Sequence, residues 1–235
     1  MKQGKLYLIP ITLGDSAPLE VLPISNKRAI EEIDHYIAEN EKTARAFIKR
    51  LSSGKAQGDL HFEQLNKFTE PTILPEFLNP CLEGHDIGLM SEAGCPGVAD
   101  PGADIVRIAH QKGIQVVPLV GPSSILLALM ASGLNGQRFA FNGYLPIESA
   151  DRKKAIKQLE KKSREEDQAQ IFMETPYRND KMVGDLIKFL HPETMLCIAT
   201  DITLESEQIK TRSIAEWESN LWDLNKRPTI YVIQA

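Results

Sequence analysis

Cysteine is scarce in this chain. Cys81, Cys95 and Cys197 are odd in number and show no paired spacing, which excludes a disulfide framework and a cysteine zinc site. No apolar run approaches the roughly 20 residues needed to cross a bilayer, and Met1-Lys2-Gln3-Gly4-Lys5 leads into a short strand without a signal-peptide core. These absences predict a cytoplasmic protein with no membrane partner. His35, His61, His85, His110 and His191 have no ligand spacing, so no metal is expected. After the first apolar run, Pro10 to Asp15 contains no G-x-G-x-x-G, which excludes the dinucleotide fingerprint. Positive charge is also short: 27 Lys and Arg against 32 Asp and Glu give a net −5. Contact with nucleic acid therefore calls for local basic patches.

What is present is an alternation of strands and helices. Strands are expected over Lys5–Ile9, Asp86–Met90, Ile114–Pro118, Arg138–Tyr144, Gln170–Met173, Met195–Thr200 and Thr229–Ile233. Helical patterns cover Thr43–Leu51, Ala103–Lys112, Asp151–Glu166, Asp180–Leu190 and Ser213–Leu224, and a broken helix covers Pro71–Glu83. Ser52 to Glu70 is polar and weakly patterned and reads as a loop. A helix opening at Val120-Gly121-Pro122-Ser123-Ser124 and running to Leu134 is too apolar on all sides to be exposed. The alternation predicts two α/β domains, residues 1–120 and 121–235, with a mostly parallel N-terminal sheet and a mixed C-terminal one.

Two stretches stand out. Ser91 to Gly102 reads S-E-A-G-C-P-G-V-A-D-P-G directly after a strand, with Asp100 and Pro101 placed to open the next helix. Gly94, Gly97 and Gly102 permit backbone angles or approaches that a side chain would block. Such a loop sits at the carboxyl end of a strand, where open α/β sheets bind ligands. Ser123 and Ser124 follow a Gly-Pro turn at a helix start, which suits a carboxylate or a simple cap. Lys42, Arg45, Lys49, Arg138 and Arg178 are the candidate cations for meeting an anionic substrate. The run Arg152, Lys153, Lys154, Lys157, Lys161, Lys162 and Arg164 is interleaved with glutamates and reads as a solvated helix face.

The ordered set Y-L-I-P (7–10), S-E-A-G-C-P-G-V-A-D-P-G (91–102), V-V-P-L-V-G-P-S-S (116–124), N-G-Y-L-P (142–146), F-M-E-T-P-Y-R (172–178) and A-T-D-I-T (199–203) resembles the tetrapyrrole-methylase superfamily. It is most similar to the branch that methylates a ribose 2′-hydroxyl of small-subunit ribosomal RNA. The resemblance implies S-adenosylmethionine as cofactor, held in a cleft between two α/β domains, a homodimer, and ribosomal RNA or the small subunit as partner. It places Ser91, Glu92, Ala93, Gly94 and Cys95 at the methionine and sulfonium end of the cofactor, Asp100 at the acidic position that follows, and Pro10, Ser123 and Ser124 beside the cofactor. It places Met173, Thr203, Pro228 and Thr229 near the adenosine. Glu92 stands where that branch carries Asp, and Glu39-Asn40-Glu41-Lys42 where it carries E-D-T-R.

Methyl transfer from a sulfonium is an in-line displacement that needs orientation and dryness rather than a metal. A ribose hydroxyl is a poor nucleophile, so a base would help. Glu92 is the leading catalytic candidate, ahead of Glu174 and Lys42. Other readings that stay open are a tetrapyrrole or other small acceptor, and a non-catalytic protein that keeps the cofactor site.

Overall fold

A computed structural model describes residues 2–217 and 221–235. The chain divides into two compact units, Met1–Ser123 and Ser124–Ala235.

In chain order the first unit holds β1 (Lys5–Ile9), α1 (Pro18–Val21), α2 (Ile24–Glu32), β2 (His35–Ala38) and α3 (Glu41–Leu51). Then come β3 (His61–Gln64), α4 (Asn79–Leu82), β4 (Ile87–Met90), α5 (Gly102–Gln111) and β5 (Gln115–Pro118). The strands form one sheet in the order β3-β2-β4-β1-β5, and every pair is parallel. Period-two alternation sends its faces into separate cores. Ile9, Tyr36, Ala38 and Met90 pack with Ile30 of α2 and Phe47 and Ile48 of α3. Leu6, Ile37, Ile87 and Leu89 pack with Leu78, Ile105 and Ala109 on the other face. A parallel sheet needs both faces covered, and here both are.

Local chemistry sets the helices. The Asn40 side chain accepts from Lys42 N at 2.9 Å and caps α3, whose buried residues Ala44, Phe47, Ile48 and Leu51 recur at helical spacing. The chain leaves β1 toward one end of the sheet and leaves β4 toward the other. Right-handed crossovers in opposite directions put their helices on opposite faces, which makes the carboxyl ends of β1 and β4 a topological switch point.

Unit 2 holds α6 (Ser124–Ser132), β6 (Phe139–Tyr144), α7 (Ser149–Glu166), β7 (Ala169–Glu174) and α8 (Asn179–Phe189). It closes with β8 (Met195–Thr200), β9 (Gln208–Ser213), α9 (Ile214–Trp217) and β10 (Thr229–Gln234). The sheet order is β6-β7-β10-β8-β9; β6 and β7 are parallel and the remaining pairs antiparallel. Phe172, Leu196, Ile198, Tyr231 and Ile233 on one face of that sheet share a core with Ile156 of α7, Leu186 of α8 and Trp217 of α9.

Several expectations are corrected. The polar segment 52–70 is not all loop, because His61–Gln64 pairs with β2 as an edge strand. An edge strand buries little, so its mixed residues carry no apolar signature. The helix expected from Ser213 starts at Ile214, and Gln208–Ser213 before it is a strand. Residues 218–220 of that expected helix lie outside the described residues, and Leu221 to Leu224 are not helical. Helix α6 is not wholly buried, since Met130 is 77% exposed. Helix α5 begins at Gly102 with Pro101 as the residue before it, and Asp100 reaches its first amide from outside. Arg152 does not belong to a solvated face: it is 2% exposed and paired with Asp185 of α8.

Candidate active site

Three loops meet at the carboxyl edge of the parallel sheet, following β1, β4 and β5. Ile11 N donates to Gly94 O at 3.0 Å, which ties the first loop to the second. The Cys95 thiol donates to Pro122 O with Sγ at 3.4 Å, tying the second to the third. Gly94 has φ +70°, and a Cβ there would lie 3.1 Å from Leu13 and 3.2 Å from Pro122 O. At Gly121 a Cβ would fall 2.2 Å from the Pro10 Cβ, so the exits of β1 and β5 are in contact through a missing side chain. Asn26 of α2, fully buried, donates to Val120 O at 3.1 Å and steadies the third loop from beneath.

Asp100 shapes the middle loop. Its carboxylate accepts from Gly97 N at 2.9 Å and from Gly102 N at 2.7 Å. Burial pushes this carboxyl above its usual range, and the two amides offset only part of that effect. Ala99, between the two amides, is held at φ +60°, a costly angle for a residue with a side chain. Ser91 is buried and donates to Ala93 O at 3.2 Å. Glu92 is exposed and accepts the Thr43 hydroxyl of α3 at 2.7 Å. Glu39, one residue past β2, accepts the Glu92 amide. Burial, then the nearby Asp100 and Glu92, raise the Glu39 carboxyl above the ordinary glutamate value.

In unit 2, Met173, Thr203, Pro228 and Thr229 come to one end of the mixed sheet. Met173 pairs with Ile230 and with Tyr144, and Asp201 N donates to Pro228 O at 3.0 Å. The turn after β8 holds Asp201 at φ +51° and Thr203 at φ +73°. Thr203 N donates to Glu207 at 2.8 Å, while its buried hydroxyl has no partner among the described residues. The Thr229 hydroxyl is turned inward to Thr200 and Asn179.

No protein-family model matches the chain. The ribosomal RNA small subunit methyltransferase I of Escherichia coli O157:H7 is 30% identical over 217 residues, 91% of this chain and 71% of the relative. The chain belongs to the ribosomal RNA small subunit methyltransferase I family. Relatives of the same name from Vibrio cholerae and Synechocystis are each 30% identical, over 90% and 87% of this chain and 69% of each relative.

Solved structures place this family member in the fold of the tetrapyrrole methylases. The methyltransferase CobJ aligns with TM-score 0.65 and 16% identity over 98% of this chain and 94% of that one. Cobalt precorrin-4 methyltransferase CbiF aligns with TM-score 0.61 and 12% identity, over 98% and 94%. Uroporphyrin-III C-methyltransferase from Thermus thermophilus aligns with TM-score 0.57 and 17% identity, over 100% and 93%.

The methyltransferase's cations divide by what they already hold. Arg45 donates to Glu41, Gln57 O and Leu60 O and lies 4.7 Å over the Phe62 ring, so its guanidinium is committed within unit 1. Arg178 pairs with the buried Glu174 and remains one-third exposed. Arg138 donates to Glu166 O at 3.1 Å and is exposed, as is Lys42. Glu174, weighed as a base, is held below the usual range: Arg178 and the Thr175 amide outweigh its burial. Three contributors to the site's shape escaped the sequence reading: Glu39, Thr43 and Asn26. Glu39 had a signal, its place at the head of the Glu39-Asn40-Glu41-Lys42 segment that stands where the family carries E-D-T-R.

Proposed function

We propose that this methyltransferase moves a methyl group from S-adenosylmethionine to a ribose 2′-hydroxyl of small-subunit ribosomal RNA. The observation that carries the reading is the glycine-shaped ledge at the switch point of the parallel sheet. Gly94 and Gly121 let the loops after β1, β4 and β5 close on one another there, since a Cβ would lie 3.1 Å from Leu13 at the first and 2.2 Å from Pro10 at the second. The donor set also suits a sulfonium amino acid: loop carbonyls, the Ser91 hydroxyl and the carboxylates of Asp100 and Glu92 complement positive charge. Pro10, Ser91–Cys95, Asp100, Ser123 and Ser124 are assigned to the methionine end. The strained turn at Thr203, with Met173, Pro228 and Thr229, is assigned to the adenosine.

When bound, S-adenosylmethionine supplies an electrophilic methyl group whose loss leaves a neutral thioether. With the cofactor bound, this chain's part would be to orient the ribose hydroxyl toward the methyl group and to take the hydroxyl proton on a carboxylate. Glu39 is assigned that proton: it lies at the same sheet edge, accepts the amide of Glu92 in the middle loop, and burial raises its proton affinity. Glu92, tied to Thr43, anchors the loop. Lys42 and Arg138 are assigned to RNA phosphates.

The assembly we propose is a homodimer, with Met130 of α6, 77% exposed in the single chain, assigned to the face between copies. Among the described residues no helix is long and apolar enough to cross a membrane. The protein acts in the cytoplasm, where its RNA is.

Labelled methyl transfer into small subunits from a strain lacking the enzyme tests the reading. Glu39→Gln is expected to lower kcat about 100-fold, with adenosylhomocysteine affinity by calorimetry unchanged. Glu92→Gln is expected to lower it less. The wild-type kcat should rise with pH through the raised Glu39 value, because the base must be unprotonated. Label appearing in small acceptors and not in subunits would overturn the RNA assignment.

A further inference from the structure

Unit 2 displays two tyrosines to solvent at the same sheet end, and the mechanism above uses neither. Tyr144, the last residue of β6, is 56% exposed, and Tyr177, in the turn after β7, is 78% exposed. An exposed aromatic loses the benefit of burial, so two of them together ask for a reason. Their setting is built. The β6–β7 register shifts between Phe141 and Tyr144, and Gly143 inside that irregularity has φ +64°. Bulges of this kind re-aim a side chain at the rim of a sheet. Behind Tyr177, the buried Glu174 carboxylate accepts from Thr175 N at 2.6 Å and pairs with Arg178, so the turn is pinned at both ends.

Cations frame the pair. Arg178 lies within electrostatic range of Tyr144 and follows Tyr177 directly. Lys226 N donates to Pro176 O at 3.1 Å, which brings a second exposed cation beside the same turn. Flat aromatic faces flanked by guanidinium and ammonium groups match an unpaired nucleobase and its phosphate. They match a paired helix poorly, since its bases are stacked already.

We infer that Tyr144 and Tyr177, with Arg178 and Lys226 beside them, form a stacking platform that holds an unpaired base of the RNA substrate. This rests on the RNA methylation reading and gives it a substrate conformation: a single-stranded or splayed-out segment. The test uses the full chain with Tyr→Phe and Tyr→Ala variants at both positions. Steady-state methylation of small subunits should show KM raised about 10-fold for each alanine, with kcat little changed. The phenylalanine variants should match wild type, because stacking needs the ring and not the hydroxyl. Anisotropy of a labelled single-stranded RNA decamer should report the same order of affinities without any methyl transfer. Its outcome therefore stands apart from that of the methylation assay and of adenosylhomocysteine calorimetry. Alanine variants that bind the decamer like wild type would overturn the platform. So would a changed oligomeric state on light scattering, which would make the tyrosines a contact between copies.

Discussion

Gly121 shows how an absent atom positions a loop. Its backbone leans on Pro10 so closely that an added Cβ would lie 2.2 Å from a ring carbon. Proline is rigid, so relief must come from the backbone of one loop or the other. Gly121→Ala is expected to cost about 1–3 kcal/mol of stability in urea unfolding, the usual price of overpacking, and to weaken adenosylhomocysteine binding by calorimetry. Gly136→Ala, with open space around its Cα, should stay within about 0.5 kcal/mol of wild type. The glycines of 91–102 were legible as a shaped loop from composition alone. The contact between Gly121 and Pro10 was not, because nothing local in either segment refers to the other. Arg152 teaches the reverse lesson. Its neighbours in sequence are solvated lysines and glutamates, while its own side chain turns inward to Asp185 and to Pro146 O and Ile147 O.

Among the elements, β3 is the one whose existence depends on its neighbour. It adds to β2 in parallel register, His35 opposite His61. The two imidazoles stack at 4.9 Å, and His85 lies 5.2 Å from His35. Burial, then His61 and His85, lower the His35 value below 6.5, while Asp34 and Glu83 act the other way. Asp34 is itself held by Lys55 at 2.6 Å. The folded unit keeps His35 neutral where the unfolded chain takes up a proton. Stability present above pH 6.5 is therefore lost as pH falls from there through the lowered His35 value. Urea unfolding at about pH 7.5 and 5.5 should show this loss, and His35→Gln should remove most of the difference. Long elements such as α3 and α7 were readable from their periodicity. The edge strands β3 and β9 were not, since His61–Gln64 and Gln208–Ser213 are mostly polar, whereas the edges β5 and β6 carry apolar residues such as Val116, Val117, Phe139 and Phe141.

At the scale of the whole molecule, a net charge of −5 leaves general electrostatics unfavourable for RNA. Binding must then come from local groups, and several cations that the sequence offered are occupied internally, Arg45 and Arg152 above all. The proposed assembly also has a direct check. Met130→Glu places a charge on the exposed side of α6, where a monomer would tolerate it. Light scattering of this variant should report a monomer in place of the wild-type dimer, with its thermal midpoint little altered. A dimer that survives the substitution would place the interface elsewhere.

Strand and helix order, the glycine-rich loop after β4 and the acidic balance are properties of neighbouring residues, and the amino-acid order alone determined them. Period and composition act over a few residues, so they can be read without a fold. Which loops meet, which carboxylates share an edge and which arginines keep their charge for solvent were decided only by tertiary structure. Ile11 finds Gly94, and Glu39 finds the Glu92 amide, because parallel pairing sets distant segments side by side. That pairing is made by hydrogen bonds between backbones, which are alike in every residue but proline, so side-chain order carries little record of it.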